Sequence, residues 1–116
     1  MTSPYTPDSG DIIWLEFDPQ KGHEQAGRRP AVVLSPANYN KNSGLAILCP
    51  VTKQVKDYPF EVLLPEGLDI GGVILVDQIK SFDWQSRKAQ FCCLAPASTI
   101  SEIKNKLRSL LKMDIN

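Results

Sequence analysis

Between Gly22 and Pro30 the chain sets an imidazole (His23), a carboxylate (Glu24), an amide (Gln25) and two guanidiniums (Arg28 and Arg29) within nine residues. The apolar run Ala31-Val32-Val33-Leu34 follows directly, so a glycine-flanked polar loop feeds a strand suited to burial. Such a loop presents chemical groups from a rigid support. His23, the single histidine, titrates near neutrality, and with Glu24 it offers general acid–base chemistry. Arg29 precedes Pro30, which biases it toward extended backbone at the mouth of the strand. From there its guanidinium can grip a phosphate through two parallel hydrogen bonds. An isolated arginine is ordinarily a solvated surface charge; Glu24 and His23 on the same loop tilt the reading toward a site.

Other polar residues carry two readings each. Thr52, after Pro50-Val51 at a strand end, either donates to a phosphate oxygen or caps the turn before Lys53, and capping is the commoner use. Asp77 and Gln78 interrupt an apolar run, so they hydrogen-bond the loop, contact a ligand or face solvent. Lys53, Lys56, Lys80, Arg87 and Lys88 are scattered cations, each singly an ordinary solvated charge. Trp14, Phe17, Tyr39 and Trp84 suit core or interface packing, and exposed ones can stack on single-stranded bases. His23, Cys49, Cys92 and Cys93 match no short zinc-binding spacing, and neighbouring Cys92 and Cys93 are expected on opposite faces of a strand. The chain contains no glycine-rich phosphate loop, dinucleotide fingerprint or nucleophile elbow. For an enzyme, what remains is acid–base chemistry on an anionic substrate without metal or cofactor.

The elements that must position these groups are short. Ile12–Phe17 reads as a strand stopped by Asp18-Pro19, and Ala31–Ser35 as a second. Residues 38–44, rich in asparagine, read as a turn with room for one turn of helix. Leu45–Cys49 is a third strand ended by Pro50, Phe60–Leu64 a fourth, Val73–Phe82 a long fifth and Phe91–Leu94 a last one. Only residues 99–112 have helical period: Ile100, Ile103, Leu107, Leu110 and Leu111 share a face, with Lys104, Arg108 and Lys112 on another. Thr99 and Glu102 suggest a capping box at its start. The expected fold is mainly β with one helix, a strongly curved antiparallel sheet or partial barrel closed by a C-terminal helix.

Composition narrows the partners. At 116 residues the chain is expected to form one domain spanning residues 1–116. Its 13 basic and 13 acidic side chains cancel, so any polyanion must be held by a local basic patch. Three cysteines, an odd number in strand-like surroundings, fit a reduced cytoplasmic compartment, and the vicinal pair could close only a strained disulfide. No apolar run approaches the ~20 residues of a membrane span, so no membrane partner is expected.

The motifs Gly10-Asp11-Ile12-Ile13-Trp14, Phe17-Asp18-Pro19, Gly22-His23-Glu24-Gln25-Ala26-Gly27-Arg28-Arg29-Pro30 with its following strand, and Tyr58-Pro59-Phe60-Glu61-Val62 together resemble the MazF/PemK/Kid toxin family, most closely its MazF branch. Gly72-Val73 and Asp77-Gln78-Ile79-Lys80-Ser81 extend the likeness over nearly the whole chain. The resemblance implies an SH3-like barrel-shaped sheet with a C-terminal helix. It also implies the toxin of a type II toxin–antitoxin pair, a homodimeric, sequence-specific, metal-independent endoribonuclease acting on single-stranded RNA, chiefly mRNA. Its partners would be a cognate antitoxin that blocks the RNA groove and, only as the toxin–antitoxin complex, operator DNA. The family's catalytic arginine falls on Arg29, its strand-end hydroxyl on Thr52 and its acidic loop position on Glu24. His23 and Asp77 match positions used by some members, but the arginine those members place two residues before the aspartate is Leu75 here. That departure favours a scheme centred on Arg29 and Thr52, with His23 secondary.

On this reading the substrate's 2′-hydroxyl attacks phosphorus, Glu24 or His23 takes its proton, and Arg29 and Thr52 serve the phosphate. Paired copies of Arg28, Arg29, Lys56 and Lys80 in a dimer groove would hold the strand, with Gln25, Asp77 and Gln78 also binding it. Two alternatives remain at this stage: a gyrase-poisoning toxin of the CcdB type, and an inactive toxin-fold corepressor.

Overall fold

A computed structural model of the protein describes residues 4–17 and 27–113. In chain order the elements are β1 (Asp11–Glu16), β2 (Arg28–Val33), α1 (Ala37–Ser43), β3 (Leu45–Thr52), β4 (Glu61–Leu63), β5 (Val73–Leu75), a 3-10 turn (Val76–Gln78), β6 (Lys80–Asp83), β7 (Gln90–Leu94) and α2 (Ala97–Leu111). The antiparallel sheet runs β4-β5-β3-β2-β1-β7, and β6 also pairs with β3. Alternation along β1, β2 and β3 divides the core between two faces of the sheet. On one, Ile12, Val32, Cys49, Val51, Val62, Ile74 and Ile103 cluster; on the other, Ile13, Leu15, Ala31, Val33, Leu48 and Trp84 do. α2 covers the first face through fully buried Ile103, flanked by Ile100 and Leu107. Burying one such side chain contributes about 1.5–3 kcal/mol.

The mainly antiparallel sheet with a C-terminal helix is as expected, and most strand bounds fall within a residue or two. The differences have local physical causes. The long run 73–82 is not one strand. From Leu48 to Val51 is three steps along β3, but from Ile74 to Lys80 is six along its partner, so the three residues of the 3-10 turn are extra. Asp77 and Gln78 sit exposed on that excursion, which releases them from a buried ladder. β3 runs through Pro50 to Thr52 because the N–H and C=O of Ile47 face β2, so by alternation Pro50 turns its missing donor to the interrupted edge. Residues 37–43 form nearly two helical turns rather than one. The capping box is absent: α2 begins at Ala97 after Pro96, no side chain caps it, and Thr99 is buried inside its first turn. The apolar stripe of α2 is also shorter than expected, since Leu110 and Leu111 are exposed.

The Cys92–Cys93 expectation is overturned. Ile12 stands opposite Cys93 and Ile13 opposite Phe91, so Cys92 is the extra residue of a β-bulge. Both cysteines pack against the same core cluster instead of facing opposite ways, and both are free thiols.

Candidate active site

Two prolines open the cleft. Val33 directs its carbonyl to Gly10 on the β1 side, so by alternation Pro30 turns its N-side toward β3, where it has no donor to offer. The β2–β3 ladder stops at Ala31–Pro50. Two steps beyond that rung, the same register sets Arg29 against Thr52, on the sheet face that carries Ala31 and Leu48. Arg29 is exposed at the end of a central strand, and among the described residues no hydrogen bond or ion pair engages its side chain. Thr52 is half-buried, and its Oγ1 accepts from the Gln54 N–H at 3.2 Å. That bond is the turn-capping role anticipated for it. It also leaves the hydroxyl proton available to donate outward, so the two readings of Thr52 are compatible.

Three adjoining hollows of about 590, 440 and 280 Å³ share Arg29 and Thr52, forming one groove centred on the pair. Arg28 lines the first, with Trp14, Lys53 and Asp69. Lys56, Asp77 and Gln78 line the second, and Lys80 lines the third beside Phe17 and Phe82. Every described candidate residue therefore reaches this groove, whereas His23, Glu24 and Gln25 lie outside the described residues. Arg28 differs from Arg29 in being tied down: its Nη2 donates to the Trp14 carbonyl (3.2 Å), the Lys88 carbonyl (2.9 Å) and Gln90 Oε1 (3.2 Å). Of the scattered cations, Arg87 is structural, binding the Glu16 and Phe17 carbonyls and lying 4.0 Å over the Phe82 ring. Lys88 pairs with Glu16 at 3.9 Å.

Residues given no role from sequence shape the rest of the groove. The Glu61 carboxylate accepts from the Lys56 N–H, at 3.2 Å to each oxygen, and pins the loop carrying Lys56. Tyr58 donates to Asp77 Oδ2 at 3.0 Å, and that hydrogen bond raises the phenol above its ordinary pKa. Asp77 thus fixes the loop as well as facing the groove. Their only sequence signal is the Tyr58-Pro59-Phe60-Glu61 motif; the pairings come from the fold. Burial pushes the Cys49 thiol up to about 12 and the Cys92 thiol to about 11, so neither supplies a thiolate near neutrality. Among the described residues no three His, Cys, Asp or Glu side chains gather to hold a metal, and no helix is long and apolar enough to cross a membrane.

Gly72 fixes Thr52 from behind. Its φ is +122°, and a Cβ there would overlap the Thr52 carbonyl oxygen. Gly72→Ala is expected to destabilise the chain by at least about 1–3 kcal/mol from the backbone conformation alone. A urea or thermal unfolding midpoint equal to that of the parent would show that the β3 end is not so constrained.

The family model for a "PemK-like, MazF-like toxin of type II toxin-antitoxin system" matches residues 8–111. The endoribonuclease toxin MazF of Escherichia coli K12 is 49% identical over 111 residues, which is 96% of this chain and 99% of that protein. MazF from Deinococcus radiodurans superposes with a TM-score of 0.86 at 55% identity, over 95% of this chain and all of that one. A MazE–MazF structure from the same organism gives 0.88 at 52% identity, again over 95% and 100%. Matched along nearly its whole length in both sequence and fold, the chain belongs to the PemK-like, MazF-like toxins of type II toxin–antitoxin systems.

Proposed function

We propose that the groove holds single-stranded RNA with the scissile phosphate between Arg29 and Thr52, and that residues 1–116 act as one endoribonuclease toxin domain. The convergence of an unengaged guanidinium and an outward-donating hydroxyl at the groove's centre carries this reading. The endoribonuclease activity itself follows the family and the 49% identical relative. The substrate's 2′-oxygen forms a bond to phosphorus as the bond to the 5′-oxygen breaks. Glu24, with His23 second to it, takes the 2′ proton; Arg29 neutralises charge on the phosphorane and assists the leaving oxygen; Thr52 donates to a non-bridging oxygen. Leu75, which lines the groove where some members have arginine, brings no charge and leaves that work to Arg29.

Lys53, Lys56 and Lys80 supply phosphate contacts along the groove. Gln25, Arg28, Asp77 and Gln78 make the remaining substrate contacts. Two chains form the working cleft, an acidic antitoxin segment competes for it, and the toxin–antitoxin complex, not the toxin alone, binds operator DNA in the cytoplasm. Relatives solved as MazE–MazF complexes support the antitoxin partner. Digestion of a defined RNA in excess chelator tests the chemistry: fragments should end in 2′,3′-cyclic phosphate and 5′-hydroxyl. Fragments with 5′-phosphate ends would instead demand a water nucleophile and remove the scheme.

A further inference from the structure

The bulge in β7 does something a regular strand cannot. Consecutive side chains normally alternate faces, but the extra residue at Cys92 lets Cys92 and Cys93 lie on one side, against the core around Ile12. Both are half-buried free thiols, consecutive in the chain and packed against one core cluster. Closing them into a disulfide would strain the peptide between them, whereas a larger soft atom bridging the sulfurs needs no S–S bond. The surroundings connect the pair to the groove: Trp14 lies across the β1–β7 ladder from Gln90, two residues before Cys92 and on the face of β1 that carries Ile12, and with Asp69 it lines the hollow beside Arg29. Trp14 also offers its carbonyl to Arg28.

We propose that Cys92 and Cys93 form a vicinal dithiol site for a soft, trivalent arsenical, and that its occupation disturbs the groove wall through Trp14. Soft thiolate ligands select such atoms over hard cations. The link to RNA cleavage rests on the nuclease reading above; the site itself does not. With phenylarsine oxide, two As–S bonds form, the oxygen leaves as one water carrying both thiol protons, and no electron is transferred. Because burial keeps the Cys92 thiol protonated near neutrality, a ligand that carries its proton away suits the pair better than one needing a preformed thiolate there.

Intact mass spectrometry of the whole protein titrated with phenylarsine oxide tests the site. It should saturate at one phenylarsenic per chain and reverse with 2,3-dimercaptopropanol. Removing either sulfur, in Cys92→Ala or Cys93→Ala, leaves single-point attachment, weaker by about 10²–10⁴-fold. Cys49→Ser should bind as the parent does. RNA cleavage should fall in proportion to occupancy in the parent and stay unchanged in Cys92→Ala at the same arsenical concentration. Parent-like affinity in both Cys92→Ala and Cys93→Ala would overturn the site. Full occupancy with undiminished cleavage would overturn its link to the groove. A protein that bound arsenical but never cut RNA would uphold the dithiol and defeat only the nuclease reading.

Discussion

Arg29→Ala is expected to slow RNA cleavage by about 10²–10³-fold, the usual loss when one donor to developing transition-state charge is removed. The protein should remain folded. The Arg29 side chain is exposed at a strand end, and no described residue depends on it for a hydrogen bond or ion pair. Surface substitutions of that kind normally change stability by no more than about 0.5 kcal/mol. Arg29→Lys should recover only part of the rate, since an ammonium cannot present the two parallel donors that fit a phosphorane. Single-turnover rates beside thermal melts of the same samples decide the matter. A folded Arg29→Ala variant cutting at parental speed would dismiss Arg29 from the chemistry.

How much of this was readable in the chain depends on whether the deciding interaction is local. Turn residues and apolar runs located five of the seven strands and the helix bearing Ile103, because burial and punctuation are written residue by residue, but they merged β5 and β6 into one run. What β3 does at Pro50 is not local. A proline in mid-strand normally argues against the strand, and it is tolerated here only because the 3-10 turn at Val76–Gln78 interrupts the facing edge, more than twenty residues later. The Cys92 bulge is likewise set by its register with β1, which sequence alternation cannot reveal.

The site divides the same way. Arg29 stood out as a candidate because Pro30 constrains it, whereas Thr52 read first as a turn cap and became a candidate through the family resemblance. Their alignment follows from the β2–β3 register. The Tyr58–Asp77 and Lys56–Glu61 contacts, which shape the flank of the groove, needed the loop after β3 to fold over the 3-10 turn. Arg28 and Arg29, adjacent and alike in sequence, separate only in structure: both line the groove, but the Nη2 of Arg28 is tied to backbone carbonyls while Arg29 has no partner among the described residues.

Replacing the 2′-hydroxyl of the nucleotide just 5′ to the scissile bond with hydrogen should abolish cleavage there, an effect larger than that of any single side-chain change. The reason lies in what the groove lacks among its described side chains as well as in what it holds. Thr52 has an Oγ1 lone pair engaged by Gln54, and the Cys49 and Cys92 thiols are held protonated. None of these three groups is thereby prepared to attack phosphorus in place of the missing hydroxyl. Binding should survive, because phosphate contacts from Arg29 and the lysines do not involve the 2′ position, so the substituted RNA should act as a competitive inhibitor of the all-ribose strand. The same substitution one nucleotide further along serves as the control and should leave cleavage intact, apart from any contact to that sugar. Cleavage at the deoxy-substituted position would require a nucleophile from water or protein, and the roles given to Glu24, Arg29 and Thr52 would have to be rebuilt around it.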